Sequence, residues 1–439
     1  MATRGDHLVR GDRGFATGEG LLGKLAAPFF ARMIDQLDKR LKTGGIDGIL
    51  PDGTPRRVGF HAPGPVCTFH LHSYRALARI ALTGSVGLYK AWEAGEWSSP
   101  DPVPLFALFM ENAASLGDTA RAKGPMRWIN AAAHRLRDNH LLQARENIAA
   151  HYDLGNDFYA AWLDETMSYS SAMFAPLSPA GGAGGGQGAT VAHAPAPSRK
   201  REGELEAAQQ RKIHALLDRL EIGEGTRLLE IGCGWGSLAI EAAKKGAKVT
   251  CLTLSAEQKG YASGKIAQLQ LSDRIDIKLL DYREISGEYD AIASVEMVEA
   301  VGQAYWPAYM DCLARNLVPG GRAALQYISI RPELFPAYAQ SADFIQTYIF
   351  PGGMLIDEPS FEALARERGL TWQDRHGFGM DYAETLRQWR LRYDAAVQRG
   401  ELDEFSPRFH DLWRFYLMYC EGGFRGRGID VAQVTLVKR

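Results

Sequence analysis

The chain has 439 residues, and 46% of them are hydrophobic, which is enough for two or three domains with buried cores. The 50 basic and 52 acidic residues give a formal net charge of −2. This balance argues against a nucleic-acid-binding protein and leaves only a local basic patch for contact with anionic lipid.

The five cysteines have neither a C-x-x-C nor a metal-ligand spacing, so the sequence predicts no metal site and no disulfide framework, as suits a reducing cytoplasm. The first 20 residues are polar and rich in glycine. They lack the apolar core of a signal peptide, and we expect them to be disordered. No stretch approaches the roughly 18 consecutive apolar residues of a transmembrane helix. Any function at a membrane is therefore predicted to be carried out from its surface.

Residues 21–139 mix helical and strand-like patterns. An amphipathic helix is predicted over Leu22–Leu41, and short β-like runs follow at Arg57–Phe60 and Val66–His70. Helices rich in phenylalanine and leucine complete this part. The sequence therefore predicts a smaller, separate N-terminal α+β domain over residues 21–139.

A second domain is predicted over residues 140–439. It is interrupted by residues 178–198, which are mostly Gly, Ala and Pro with few bulky apolar side chains. Such a stretch cannot bury enough apolar surface to offset the entropy of ordering it, so a flexible loop is predicted there. A helix is predicted to follow at Glu202–Leu220.

From Arg227 onward, apolar strands alternate with helices. This alternation is typical of an α/β protein with a doubly wound, mostly parallel sheet that binds ligands at the carboxyl ends of its strands. One helix is predicted at Trp306–Asn316. The predicted strands are Arg227–Gly232, Lys248–Leu254, Ile275–Leu280, Ala291–Glu296 and Arg322–Ile330.

The first of these strands ends in an acid and runs into three alternate glycines. Glu230 is followed by Gly232, Gly234 and Gly236, and a helix begins near Leu238. Glycine lets the backbone turn tightly and pass close to a ligand, and the amide-rich start of a helix faces the same place. A tight turn in some other α/β protein is the alternative. The E-x-G-x-G-x-G spacing differs from the G-x-G-x-x-G of dinucleotide folds and resembles motif I of class I S-adenosylmethionine (SAM) methyltransferases.

This resemblance implies that Glu230 stands near the amino group of the methionine part of SAM. Asp281, followed by Tyr282, lies where these folds present a carboxylate to the adenine; taken alone, it would suit a solvated turn. The strand that ends near residue 254 lacks the usual ribose-binding acid, and hydroxyl and amide groups can reach the ribose instead. The candidates for that role are Thr253, Ser255 and Gln258.

Longer motifs flank the glycine-rich segment. His151–Tyr159 reads HYDLGNDFY, and Met167–Ser171 reads MSYSS. Both resemble the cyclopropane-fatty-acyl-phospholipid synthase and mycolic-acid methyltransferase family. The likeness covers residues 146–439. Gly84–Trp97 is similar to the N-terminal domain of the longer phospholipid synthases, which implies that residues 21–139 form a domain of a lipid-binding type. Further matching segments are Leu205–Gln210, Thr253–Gln258, Asp281–Arg283, Tyr348–Gly353 and Gly377–Tyr382.

In that family the HYDLG and YS segments form a lid over SAM, which implies cofactor contacts for Tyr169 and Ser170 as well as Gly232 and Gln258. The family acts on the cis double bond of an acyl chain. The alkene needs no base to attack the sulfonium methyl, but it needs alignment and exclusion of water, and a carbocation results. Loss of a proton from the new methyl closes a cyclopropane, whereas loss from a neighbouring chain carbon leaves a methyl-branched olefin.

The resemblance also implies a bound bicarbonate as the base. Glu299, Ile328 and Tyr382 match three of its family ligands, with Glu299 read otherwise as a helix-start carboxylate and Tyr382 as a core aromatic. Ser171 stands where the family has cysteine and Gln326 where it has the bicarbonate-binding histidine. Both can still donate hydrogen bonds to an anion, so bicarbonate is kept as a second candidate cofactor.

The loss of an imidazole, together with Ala300 in place of a second family histidine, weakens the preference for a free anion. Glu299 or a differently placed base is then expected to act. We therefore favour a methyl-branched unsaturated product, of the kind that precedes furan fatty acids, over ring closure.

Together these patterns predict a cytoplasmic enzyme, peripheral to the inner face of the membrane, that uses SAM on unsaturated phospholipid acyl chains. A true cyclopropane synthase is the alternative. A non-catalytic lipid-binding family member is disfavoured by intact motif I, Asp281 and Glu299, and a soluble small-molecule methyltransferase is disfavoured by the N-terminal domain. No nucleic-acid partner is predicted, and a homodimer is left open.

Overall fold

The computed structural model describes residues 4–5, 7–9, 27–117, 154–176 and 204–439. Residues 27–117, called the N-terminal unit below, surround a sheet of four strands. The elements of this unit are α1 (Ala27–Arg40), β1 (Gly45–Ile49), β2 (Pro55–Gly59), β3 (Val66–Leu71), α2 (Arg75–Thr83), α3 (Ser85–Glu93), β4 (Trp97–Ser98), α4 (Val103–Glu111) and α5 (Ala113–Leu116).

The small sheet has the strand order β2-β1-β3-β4. Strand β1 is antiparallel to β2 and parallel to β3, so that Ile46 lies between Val58 and Cys67. These three side chains are buried in the core. The two predicted β-like runs correspond to β2 and β3. The predicted amphipathic helix corresponds to α1, which ends at Arg40.

Residues 154–176 and 204–439 carry the second sheet. The loop after β8 contains two short 3-10 turns, Val298–Ala300 and Gln303–Tyr305. The helices and strands are α6 (Asn156–Ala160), α7 (Leu205–Arg219), β5 (Arg227–Ile231), α8 (Ser237–Lys244), β6 (Lys248–Thr253), α9 (Ala256–Gln268), β7 (Ile275–Leu279), β8 (Tyr289–Val295), α10 (Trp306–Asn316), β9 (Leu317–Ile330), α11 (Phe335–Tyr338), α12 (Phe344–Tyr348), α13 (Glu358–Glu367), β10 (Leu370–Gly377), α14 (Gly379–Gln398), α15 (Pro407–Arg425) and β11 (Ile429–Lys438).

The large sheet has the strand order β10-β11-β9-β8-β5-β6-β7. Strands β5 to β9 pair with one another in parallel. Parallel strands are covered on both faces and therefore read as apolar runs; consecutive Leu228 and Leu229 of β5 are both fully buried. The predicted α/β class with a doubly wound, mostly parallel sheet is confirmed.

Two strands at one edge were not predicted. Strand β11 runs antiparallel to both β9 and β10. It contains Gln433 and Thr435, which are fully buried although polar. In the register of the ladder, Gln433 lies opposite Gln326 of β9. Polar residues at buried positions break the apolar run by which the other strands were recognised.

The two sheets are connected by a shared hydrophobic core. Tyr89 of α3 lies with its ring centroid 5.1 Å from Phe344, 4.9 Å from Tyr348 and 5.1 Å from Phe415. These partners belong to α12 and α15, and Tyr89 itself is 1% exposed. The N-terminal unit is therefore packed directly against α12 and α15, two helices that connect strands of the large sheet.

Some sequence expectations lie outside the described residues. These include the domain boundary at 139/140, the predicted loop 178–198, and most of the predicted disordered stretch 1–20. Of that stretch, Arg4 is placed by ion pairs with Asp157 and Glu404. Within the part of the chain that the structure describes, no helix is both long and apolar enough to cross a bilayer.

Candidate active site

The glycine-rich turn after β5 has the backbone that its sequence predicts. Gly232, Gly234 and Gly236 have φ angles of 82°, 53° and 88°, a region that residues with a Cβ rarely adopt. A Cβ on Gly232 would lie 2.8 Å from Cγ of Met297, whereas a Cβ on Gly234 would meet no atom within 4 Å. The turn therefore leaves open space beside Gly234, where a ligand can approach the backbone.

Glu230 is 3% exposed and lines the same space. Burial raises the pKa of Glu230 to about 8, although the Cys251 thiol and the positive charge of Lys212 act in the opposite direction. A cationic amino group placed here would favour the ionised carboxylate. The residue therefore fits the expected role towards the amino group of SAM.

The end of β6 supplies a hydroxyl and an amide. The Thr253 hydroxyl donates to Oε1 of Gln258 at 2.8 Å, and both residues line the cavity described below. The Ser255 hydroxyl accepts a hydrogen bond from the backbone N of Gln258 at 3.2 Å and so caps α9. Ser255 and Gly236 do not line the cavity, which gives them supporting positions behind its wall.

Asp281, after β7, is 2% exposed and lines the cavity together with Tyr282. Its carboxylate accepts hydrogen bonds from the backbone N, Nε and Nη2 of Arg283 at 2.9, 2.8 and 2.8 Å. The Tyr282 hydroxyl is buried and has no hydrogen-bond partner within the described ranges. A buried hydroxyl without a partner is costly, and a polar ligand in the cavity can supply one.

One cavity of about 690 Å³ joins these groups, a volume typical of small-molecule sites. Besides Glu230, its lining includes the glycine-rich turn, the pair Tyr169 and Ser170, two further glutamates and apolar residues of the N-terminal unit. The Tyr169 hydroxyl lies 2.7 Å from the Tyr416 hydroxyl on α15. The YS part of the predicted lid is thus hydrogen-bonded to a helix near the end of the chain, whereas residues 151–153 of the lid lie outside the described residues.

The two glutamates include one that the sequence analysis did not select. Glu296 follows β8, and its Oε1 accepts hydrogen bonds from the backbone N of Ser171 at 2.9 Å and from Nε2 of Gln326 at 2.8 Å. Its Oε2 accepts from the Tyr382 hydroxyl at 2.7 Å. Three residues expected to hold a free anion therefore hold the side chain of Glu296.

The backbone at Glu296 is also unusual, since its φ is 48°. A residue other than glycine in this region costs roughly 1–3 kcal/mol unless its surroundings fix it. Here the backbone N of Glu296 donates to the carbonyl O of Gln326 at 2.7 Å. Strain of this kind concentrates at functional sites, which supports a functional role for this carboxylate.

Glu299 lies in the short turn after Glu296 and lines the same cavity. Its Oε1 accepts a hydrogen bond from the backbone N of Ile328, and its Oε2 is buried with no hydrogen-bond partner among the described residues. Burial, together with the negative charge of Glu296, raises the pKa of Glu299 to about 8. Glu299 is therefore protonated at neutral pH.

Burial also raises the pKa of Glu296, whereas hydrogen bonds from Tyr382, Gln326 and Ser171 lower it. Two adjacent carboxylates do not both ionise easily, and the one that accepts more hydrogen bonds keeps the charge. We therefore assign the negative charge to Glu296 and the proton to Glu299.

A buried cation completes the site. Lys212 of α7 is 2% exposed, and its Nζ donates to the Ser170 hydroxyl at 2.6 Å. Burial lowers the pKa of Lys212 to about 8, against the opposing charges of Glu296, Asp164 and Glu230. Its ammonium is thus close enough to these three carboxylates for their charges to act on it.

Sequence reasoning missed Lys212 and used Glu296 only as the last residue of a predicted strand. The available signal for Glu296 was its position at the carboxyl end of a parallel strand, where α/β proteins place ligand-binding residues. For Lys212 the pattern offered no comparable signal, because a lysine on a helix is usually solvated.

A family model described as mycolic acid cyclopropane synthetase matches residues 139–434. The chain belongs to this family. The match includes the glycine-rich turn, Glu296, Glu299 and Tyr382, and it begins after the N-terminal unit. The resemblance recognised in the sequence motifs is confirmed.

Two curated relatives of the synthetase family extend the comparison. The tuberculostearic acid methyltransferase UfaA1 of Mycobacterium tuberculosis is 39% identical over 381 residues, which cover 84% of this chain and 82% of the relative. The cyclopropane-fatty-acyl-phospholipid synthase of Escherichia coli is 35% identical over 289 residues, or 65% of this chain and 66% of the relative.

Solved structures agree with the fold. The mycolic acid cyclopropane synthase CmaA1, complexed with SAH and CTAB, is 27% identical and superposes with a TM-score of 0.57, covering 67% of this chain and 98% of that chain. A coclaurine N-methyltransferase, at 19% identity and a TM-score of 0.57, shares the fold alone.

Family and fold establish a SAM-dependent methyltransferase of class I that acts on lipid acyl chains. The residues present fit the cofactor, because open space beside Gly234 adjoins a buried acid, Glu230, and an unpartnered hydroxyl, Tyr282. Over the described ranges, no group of three or more His, Cys, Asp or Glu side chains is arranged to hold a metal ion.

Proposed function

We propose that this enzyme methylates the cis double bond of acyl chains in membrane phospholipids and releases a methyl-branched olefin rather than a cyclopropane. It acts as a peripheral protein at the cytoplasmic face of the membrane. The observation that carries this proposal is the Glu296 carboxylate, which is held by Ser171, Gln326 and Tyr382 where a free anion was expected.

When bound, SAM supplies an electrophilic methyl group. The alkene would donate its electron pair to that methyl while the carbon–sulfur bond breaks and its electrons go to the sulfur, which leaves S-adenosylhomocysteine and a positive charge on the adjacent chain carbon. An ionised carboxylate in a site with little water stabilises this charge strongly. Glu296, which lines the cavity and carries the negative charge of the pair, is placed to do so.

Glu296 then accepts a proton from the cationic chain. The C–H bond breaks, its electron pair forms the new double bond, and the proton goes to the carboxylate. Glu299 is a poor base in this step because its raised pKa, about 8, keeps it protonated. The proposal does not require bicarbonate, since the Gln326 amide and the Tyr382 hydroxyl donate to Glu296, and the backbone N of Ile328 donates to Glu299.

Two further facts support the open-chain product. The cysteine and histidine expected for ring closure are Ser171 and Gln326 in this chain. UfaA1, named as a tuberculostearic acid methyltransferase, is 39% identical, whereas the Escherichia coli cyclopropane synthase is 35% identical. Because the Escherichia coli relative is named as a cyclopropane synthase, ring closure is the competing outcome.

The test is an assay with SAM that carries a trideuterated methyl group and with vesicles of cis-Δ9 phospholipid. The methyl esters of the product are examined by mass spectrometry and proton NMR. We expect an olefin that retains three deuterium atoms, because the proton is lost from a chain carbon. A product with two deuterium atoms and cyclopropane protons would refute the proposal, as would SAM binding without methyl transfer to any lipid.

Added bicarbonate gives an independent readout. In buffers purged of carbon dioxide we expect an unchanged rate, and no stimulation on adding bicarbonate back. A clear increase in rate would show that a dissolved anion is the base.

A further inference from the structure

The cavity that contains Glu296 continues into the N-terminal unit. The walls of this part, called the N-terminal arm, come from α1, the small sheet and α2, and they are almost entirely apolar. Representative lining residues are Ile34, Leu37, Ile46, Val58, Leu71 and Ile80.

The N-terminal arm reaches exposed residues at one end. Gln36 on α1, Ile49 at the end of β1 and Arg56 on β2 line the cavity and are exposed to solvent, with Ile49 at 41%. Arg56 pairs with Asp35 at 2.6 Å. These residues form a rim in which an apolar side chain stands beside charged and amide groups.

We infer that the N-terminal arm binds the carboxyl-side half of the substrate acyl chain. The chain enters at the rim formed by Gln36, Ile49 and Arg56, and its double bond reaches Glu296. This inference rests on the proposed function and adds the path and direction of the chain.

The chemistry of the arm supports this direction. The free energy of a methylene chain falls when the chain moves from water to apolar walls. The free energy of an ester or a headgroup rises if it is buried without hydrogen-bond partners. A lipid therefore places its chain inside the N-terminal arm and its polar end at the exposed rim. The half of the chain between ester and double bond must then lie between the rim and Glu296.

A pair of adjacent residues on α2 provides a matched test. Ala81 lines the cavity, whereas Leu82 is 54% exposed and does not. Tryptophan at residue 81 would fill the N-terminal arm. We expect Ala81→Trp to lower kcat/KM for cis-Δ9 phospholipid at least tenfold, and Leu82→Trp to change it less than twofold. SAM binding and thermal unfolding, measured on both variants, show whether either has lost its fold.

The direction is tested on the unmodified protein with phospholipids whose cis-Δ9 chain carries a photoreactive diazirine. A diazirine at carbon 6 should label peptides from residues 27–117, whereas one at carbon 16 should label peptides from residues 204–439. Labelling of residues 27–117 from carbon 16 but not from carbon 6 would overturn the inference. Labelling of that unit from neither position would also overturn it.

Methyl transfer to unlabelled vesicles is measured in the same preparation. Absence of transfer would sink the proposed function itself. Methyl transfer together with equal activities of Ala81→Trp and Leu82→Trp would refute only the proposed path of the acyl chain through the N-terminal arm.

Discussion

The Tyr382 hydroxyl donates a hydrogen bond of 2.7 Å to Oε2 of Glu296, so that helix α14 and the end of strand β8 meet at one carboxylate. Burial raises the pKa of Tyr382 well above its ordinary value, which keeps the hydroxyl protonated and able to donate. The position of the Glu296 carboxylate thus depends on residues from widely separated parts of the chain.

The first prediction separates the two glutamates. Glu296→Gln removes the base and should lower kcat at least 100-fold, within the range seen for loss of general-base catalysis. Glu299→Gln replaces a group that is already neutral and should cost tenfold or less at pH 7. Steady-state methyl transfer measures both, with SAM affinity as the check on the site. A greater loss for Glu299→Gln would reverse the assignment of charge.

The second prediction concerns the hydrogen bond to Tyr382. Tyr382→Phe removes one donor from the ionised carboxylate, so the pKa of Glu296 should rise and its charged form should become rarer at a given pH. The acid limb of the kcat–pH profile should therefore move to higher pH, and kcat at pH 7 should fall by about tenfold. An unshifted profile would mean that Glu296 does not titrate in the rate-limiting step.

The third prediction follows from Glu230, whose pKa is about 8 in the free protein. Binding of the cationic amino group of SAM requires the ionised carboxylate, so binding releases a proton below pH 8. Affinity should then increase by up to tenfold per pH unit between pH 6 and pH 7.5. Calorimetry in buffers of different ionisation enthalpy measures the proton release. The variant Glu230→Gln should bind weakly and lose this dependence.

The fourth prediction addresses the open space beside Gly234. Gly234→Ala and Gly234→Val both strain a backbone with a φ of 53°, but only valine extends further into the path of the ligand. We expect SAM binding to weaken modestly in the alanine variant and to be lost in the valine variant. Gly223→Val is a suitable control, because residue 223 also has open space around it but has no positive φ and does not line the cavity. Equal affinities in the folded variants would contradict this position for the cofactor.

The parts that could be predicted from the sequence are local in the chain. Glu230, Gly232 and Gly234 lie within a few residues of one another, and the strand–turn–helix pattern alone was sufficient to place them. The helix Trp306–Asn316 was likewise predicted with the bounds that the structure shows.

The parts that were missed depend on distant pairings. The role proposed for Glu296 depends on its hydrogen bonds with Ser171, Gln326 and Tyr382. No periodicity within a single segment indicates that these distant residues lie close together. Strand β11 was missed for the same reason, because its pairing with β9 joins residues about a hundred positions apart in the chain. The roles of Ile328 and Gln326 came from family resemblance, and the structure places both at carboxylates.

The Glu296 carboxylate is part of the polypeptide, so a reaction that uses it as the base needs no base from solution. A dissolved base occupies its site only in proportion to its concentration, whereas a tethered group is present in every molecule at a very high effective molarity. If the proposed function holds, the rate of acyl-chain methylation depends on the supply of methyl donor and lipid and is independent of the pressure of carbon dioxide.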